Sequence, residues 1–188
     1  MDLLDALDAA AEEFGRRLVL VPAAGWTLAT PCPAWDVRYL VAHVVGGNRF
    51  AVSILGGMTS ADAIDHVMST PQLGDDPISS WRASANDQHL AFTTDGALAR
   101  RVDHPLGPMS ARHFLEFRIL DLTLHAWDLA QAIAADGRLE PDLVEAVLTI
   151  IEHGPPGMGF GLTPLGQAAE DAPAQTRLLD LTGRAAPQ

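Results

Sequence analysis

No lysine occurs anywhere in these 188 residues, and Cys32 is the only cysteine. The first absence removes Schiff-base chemistry, a pyridoxal-phosphate anchor and the lysine of a P-loop. The second removes intrachain disulfides and multi-cysteine zinc sites. Positive charge is scarce altogether: 12 basic residues, all Arg, face 24 acidic ones for a net charge of −12. Such a surface repels phosphate backbones and anionic lipid, which argues against nucleic-acid and membrane partners. Apolar runs such as "YLVAHVVGG" fall far short of the ~20 residues of a membrane span. The opening "MDLLDALDAAAEEF" has neither a basic leader region nor an apolar signal core, so a reduced, cytoplasmic location is expected.

What is present is the composition of a globular chain, 48% hydrophobic and 19% charged, long enough for one domain with a sizeable core. Leu3, Leu4, Leu7, Phe14, Leu18 and Val21 recur mostly at steps of three and four, which predicts a first amphipathic helix over 2–21. "PAAGWTLATPCPAW" (22–35), with three prolines and a glycine, reads as a connecting loop. Asp36 fits as the N-cap of a second helix to about Leu55, stopped at Gly56-Gly57. Residues 58–77 read as a polar loop, and 78–94 as a third, weaker helix. "RRVDHPLGPMS" (100–110) is rich in turn residues, with room for a short extended piece. Ser110 caps a long fourth helix to about Ala135, and "EPDLVEAVLTIIEH" (140–153) forms another, with Pro141 in its tolerant first turn. From Gly154 onward the tail is rich in glycine and proline, with a helical turn or two in "AQTRLLDLTGR". There is no internal repeat. The expected fold is therefore all-α: a four-helix bundle with an extra C-terminal helical element and an irregular tail.

The chemistry begins in "ILDLTLHAWDLAQA" (119–132). Asp121 and His125 are four apart, so on a helix they project from nearly one line, which is how a helix offers two ligands to one metal ion. An Asp–His hydrogen bond that merely orients a ring is the plainer alternative. Both lie off the apolar face of Leu115, Ile119, Leu122, Ala126, Leu129 and Ile133, in a polar stripe with Phe114, Phe117, Arg118, Asp128 and Ala132. Such an aromatic-edged stripe suits the lip of a pocket. On the second helix, His43 likewise stands off the apolar face, among Tyr39, Gly47, Phe50 and Ile54. Alone it reads as a structural histidine. With the two helices face to face, His43, Asp121 and His125 make a two-imidazole, one-carboxylate set with positions left open. Asp128 is then either an acceptor for a ligand imidazole or a solvated charge.

Taken together, "TPCPAWDVRYLVAHVVGGN" (30–48), "LDLTLHAWDLAQA" (120–132) and "APAQTRLLDLTGR" (172–184) resemble the DinB-like superfamily. The nearer resemblance is to the N-terminal metal-binding domain of mycothiol-dependent maleylpyruvate isomerase and its single-domain actinobacterial relatives. It extends over nearly the whole chain and implies a four-helix bundle with one divalent metal. By position His43 matches the family's first histidine ligand, and Asp121 and His125 match its carboxylate and second histidine. The isomerase has Glu where this chain has Asp121, one methylene shorter. It also carries a second, C-terminal domain, which this chain is expected to lack.

Three functions follow as expectations. The first is a thiol-dependent transferase or isomerase, with mycothiol or a similar thiol as cosubstrate and an electrophile as partner. Zinc is the expected metal, nickel or manganese the alternatives, and Phe50, Phe114, Phe117 and Arg118 would line the thiol and substrate pocket. The second is a hydrolase whose metal activates water. The third is a non-catalytic protein that binds a metal or small ligand. A homodimer is left open. Cys32 reads as a small packed hydrophobe. His153 reads as a helix-terminal ring that complements the helix dipole. His66, His89, His104 and His113 read as surface residues. "GPPGMGFG" (154–161) lacks the strand and spacing of a nucleotide cradle and reads as a loop, and no G-x-S-x-G elbow occurs.

Overall fold

A computed structural model of the chain describes residues 1–154 and 163–185. The described residues form seven α-helices and one two-stranded antiparallel ladder. The helices are α1 (Leu3–Leu18), α2 (Val37–Leu55), α3 (Ser60–Ser69), α4 (Pro77–Thr93), α5 (Ala111–Ala132), α6 (Pro141–His153) and α7 (Ala174–Leu181). Strands β1 (Arg101–Val102) and β2 (Met109–Ser110) form the ladder just before α5. The expected glycine-rich loop at 154–161 lies outside the described residues beyond Gly154.

The long helices start where their capping residues dictate. Asp2 and Ser110 accept backbone N–H groups in the first turns of α1 and α5, and Asp36 accepts Tyr39 N at 2.8 Å. Each such cap contributes about 1 kcal/mol. The pairings α1–α5, α5–α2, α2–α4 and α4–α1 close a ring, so these four helices are the expected bundle. Phe14 of α1 meets Trp81 of α4 at 4.7 Å between ring centroids, and Phe92 of α4 meets Phe114 of α5 at 5.8 Å. Helices α6 and α7 pack on one another, and α6 covers the outside of α5 and α1.

Helix α5 departs from the one-sided pattern expected of it. With α1, α2 and α6 around it, almost every residue from Phe114 to Ala130 is buried, including Arg118, Asp121, Thr123, His125 and Asp128. Its polar stripe therefore faces protein, and each buried polar group needs a partner there.

Two expectations are corrected. Residues 58–77 are not simply a loop: Ser60–Ser69 is helical. Thr59 and Asp62 cap it reciprocally, with Asp62 N donating to Thr59 Oγ1 at 3.1 Å and Thr59 Oγ1 to Asp62 Oδ2 at 2.8 Å. The helix lies against α2, and Ala63 is its fully buried residue; Ile64, Val67 and Met68 continue a helical spacing that the surrounding polar residues obscured. His104 is buried rather than superficial. The β1–β2 turn folds back over α5 and lays its imidazole on Phe117, 5.5 Å between centroids and 19° from parallel.

Candidate metal centre

Helix α2 brings His43, and α5 brings Asp121 and His125, to one point. One ligand atom from each lies within 4.8 Å of the others. Asp121 Oδ1 is 3.2 Å from His43 Nε2 and 3.3 Å from His125 Nε2. Its second oxygen accepts Arg118 Nη1 at 2.7 Å, which fixes the carboxylate with one oxygen toward the imidazoles. The other guanidinium nitrogens donate to Gln88 Oε1 and Asn48 Oδ1, each at 2.8 Å. This arrangement needs Gly47: a Cβ there would lie 2.8 Å from Arg118 Cζ.

His125 is oriented from behind. Its Nδ1 donates to Asp128 Oδ2 at 2.9 Å, so the neutral ring presents a lone pair on Nε2, toward Asp121. A lone pair aimed at a carboxylate oxygen is repulsive unless a proton or a cation lies between them. In the metal-free chain a proton serves. Burial would push the His125 pKa down, but the Asp121 charge and the hydrogen bonds His125 shares with Asp121, Asp128 and Cys32 outweigh it and raise it well above 6.5. Asp121 is the mirror case: burial favours the neutral acid, yet His43, His125 and Arg118 hold it well below the usual carboxylate range. Two imidazole nitrogens and one carboxylate oxygen around a shared point fit a divalent ion with open positions.

Asp128 is fully buried and accepts the His125 ring N–H; it is not a solvated charge. Arg184 Nε and Nη2 donate to its two oxygens at 2.9 and 2.7 Å. Arg184 is aimed by the end of α7, where Gly183 (φ 74°) allows a tight reversal and Arg184 N reaches Leu179 O at 2.8 Å, a Schellman-type stop. Sequence reasoning missed Arg184; the glycine after a helical run, "LTGR", was the available signal.

The loop before α2 supplies the remaining wall. Thr30 Oγ1 accepts Cys32 N at 3.1 Å and donates to Trp35 O at 3.0 Å, and Ala34 turns with φ 66°. This fold-back sets Trp35 against both imidazoles, 4.8 Å from His43 and 5.6 Å from His125 between centroids. It also brings Cys32 to the site, against expectation: Sγ donates to Asp128 Oδ2 at 3.3 Å and lies 3.9 Å from His125 Nδ1. Cys32, His125 and Asp128 thus form a second group of potential ligands. Asp128 already accepts from Arg184, His125 and Cys32, which leaves the first group the better metal site.

Two cavities meet here, since His43 and Asp121 line both. One, of about 800 Å³, runs past Cys32, Trp35, Gln131 and Arg184. The other, of about 720 Å³, holds Phe50, Phe114, Phe117 and Arg118, the four residues expected to line a pocket. His66 is exposed, half-buried His89 pairs with Asp8, His113 with Glu116 and His153 with Thr149 O; none reaches the centre.

Residues 7–130 match the family described as the mycothiol maleylpyruvate isomerase N-terminal domain. The chain belongs to this family. Its relatives include the uncharacterized proteins MT0763 and Rv0738 of Mycobacterium tuberculosis (strains CDC 1551 / Oshkosh and H37Rv). Each is 32% identical over 143 residues, covering 76% of this chain and 74% of the relative. Two crystal structures of the mycothiol-dependent maleylpyruvate isomerase, one of them a histidine-to-alanine mutant, share the fold. Their TM-scores are 0.58 and 0.61 (the mutant) at 20% identity, over 77% of this chain and 67% of theirs. No described helix of this family member is long and apolar enough to cross a membrane.

Proposed function

We propose that this chain is a metal-dependent enzyme that transfers a low-molecular-weight thiol of the mycothiol type to an electrophile, with His43, Asp121 and His125 as the metal ligands. The observation that supports it most is the convergence of two imidazole Nε2 atoms on one carboxylate oxygen, in a wall common to two cavities. Zinc suits two nitrogens and one oxygen; nickel or manganese would also be accepted. The bound metal supplies Lewis acidity, which keeps a thiol as thiolate at neutral pH. The protein supplies everything else. Asp128 keeps the His125 lone pair aimed, Arg118 keeps one Asp121 oxygen aimed, and Trp35 lies against both imidazole rings. Phe50, Phe114 and Phe117 give the electrophile an apolar wall.

No side chain of this centre is a ready nucleophile. Lysine is absent from the chain, and the Cys32 proton is engaged by Asp128. A nucleophile that arrives with the cosubstrate fits that chemistry better than a protein nucleophile does. Burial works against ionised Asp128, but His125 and Arg184 hold its carboxyl below the ordinary range, so it is a weak base. The thiol proton is therefore released to water in the open cavity. A thiol cosubstrate and an unpaired cysteine also suit the reducing cytoplasm.

Elemental analysis of the wild type, His43→Ala and His125→Ala, with conjugation assays using mycothiol, tests the reading. One metal per chain, lost in both variants together with thiol conjugation, is expected. Equal metal content in all three proteins would overturn the ligand assignment. Metal loss without any thiol-dependent turnover in the wild type would leave a metal-binding protein and remove the transferase.

A further inference from the structure

Among the described residues lining the cavity behind Phe50, Phe114 and Phe117, every basic side chain is already engaged by another group. These basic residues are Arg118, His104 and His43. All three nitrogens of Arg118 already donate, to Asp121, Asn48 and Gln88. His104 accepts Leu106 N on Nδ1 at 3.2 Å, which only an unprotonated nitrogen can do. His43 faces Asp121 with its Nε2. Arg49, behind the wall, is turned onto Gln72 Oε1 and the Pro71 carbonyl at 3.0 and 3.1 Å. Away from the proposed metal, a carboxylate entering this space would lose its hydration and meet no unpaired side-chain cation among the described residues, on a chain of net charge −12.

The approach is apolar as well. Met68 of α3 is 79% exposed, Leu106 63% and Ile64 41%, and all three line the same cavity. Large apolar side chains standing together in water usually mark a binding surface. Their position is set by α3 and the β1–β2 turn, which converge on the cavity from opposite ends of the α3–α4 segment.

We infer that the electrophile of this enzyme is an uncharged, apolar molecule, an aryl or alkyl compound with a leaving group or activated double bond, bound between α3, the β1–β2 turn and the aromatic wall of α5. The inference rests on the transferase reading and narrows its substrate class; a diacid, with a second carboxylate left unpaired even where the first meets the metal, fits this cavity poorly. With an aryl chloride the step is a substitution. The thiol sulfur bonds to the ring carbon, the carbon–chlorine bond breaks, chloride leaves with the electron pair, and the thiol proton passes to water.

A matched pair of probes tests this, chloronitrobenzene and its carboxylate-bearing analogue chloronitrobenzoate, with mycothiol and the metal-loaded protein. The neutral probe should have kcat/KM at least about tenfold higher after correction for their uncatalysed rates, since one uncompensated charge is worth that or more. Met68→Arg, on the exposed face of α3, puts a cation beside the cavity; it should lower KM for the benzoate and narrow the gap. Equal turnover of both probes, unchanged by Met68→Arg, would overturn the inference and leave the transferase standing. Binding is read separately, without thiol or metal, by the fluorescence of the uncharged dye Nile red. Naphthalene should displace the dye and naphthoate should not, and Met68→Arg should favour naphthoate. That result with no conjugation at all would keep the apolar ligand class and remove the transferase. Displacement by naphthoate as readily as by naphthalene would sink the ligand class itself.

Discussion

Arg184 grips both oxygens of Asp128, at 2.9 and 2.7 Å, across 56 residues of sequence. Because Asp128 in turn holds the His125 ring, the last helix of the described chain reaches a proposed metal ligand through one intermediary. Arg184→Gln leaves a fully buried carboxylate without its cation. Breaking a buried pair by removing one partner costs about 3–5 kcal/mol, and urea melts of the metal-free protein should show a loss toward the low end of that range, since Arg184 keeps some contact with solvent. Asp128 would then take up a proton more readily and hold Nδ1 less firmly, so metal affinity should fall about tenfold or more. Unchanged affinity would mean that the ring needs no support from behind.

Gly47→Ala tests the other support. The new methyl group would enter the space of the Arg118 guanidinium, pushing it off Asp121, Asn48 and Gln88. Overpacking of this kind costs about 1–3 kcal/mol. Metal affinity should fall along with the melting temperature, because the freed Asp121 oxygen no longer fixes the carboxylate. Gly46→Ala on the same helix meets only Val67 and Gln72 side chains, and should leave metal affinity unchanged.

Why some of this was legible in the sequence and some was not follows from how each residue reaches the site. Asp121 and His125 are four apart on a helix whose cap and length are written locally, so their adjacency needs no tertiary knowledge. His43 required only that α2 and α5 face one another, which a bundle makes plain. Arg184 and Cys32 sit after a helix stop and in a proline-bounded loop, where no periodicity predicts direction. Their contacts with Asp128 depend on where α7 and the 30–36 turn land. His104 was hidden for the same reason, in a turn whose path is set by the ladder it closes. Helix α3 had its capping pair and the helical spacing of Ala63, Ile64, Val67 and Met68 in view; the polar residues around them and the Gly and Pro on either side drew the reading to a loop.

The metal-free site should respond to pH in two directions. His125 has a folded-state pKa raised well above the ordinary imidazole value of 6.5, so its contribution to stability is complete below 6.5 and lost as pH rises through the raised value. Asp121 has a depressed folded-state pKa. Its contribution is present above the unfolded value of 3.8 and lost as pH falls through the folded one. The metal-free melting temperature should therefore be higher near pH 6 than at alkaline pH, where His125 gives up its proton. A metal must displace that same proton, so metal affinity should keep climbing with pH beyond about 6.5 instead of levelling there. Competition titrations across the range decide this. Chelation itself should leave the far-ultraviolet circular dichroism intact, because the core of Phe14, Leu40, Leu115 and Ile119 is buried independently of the site.

Cys32 stands at the edge of the first cavity, half-buried, with its Sγ on Asp128. Its role there is that of a hydrogen-bond donor, and a hydroxyl can donate equally well. Cys32→Ser should therefore keep full metal content and thiol conjugation within about twofold, the scale of one exchanged neutral hydrogen bond. Alkylation of the wild type should behave oppositely. An acetamide group on Sγ adds bulk between Trp35 and Arg184, where the thiol cosubstrate would have to lie, and removes the donor to Asp128. Iodoacetamide should then abolish conjugation in the wild type and leave Cys32→Ser untouched, with metal content nearly unchanged in both. Were Cys32→Ser itself inactive while still loaded with metal, the cysteine would be a participant in the chemistry, and the premise that the nucleophile arrives from outside would fall.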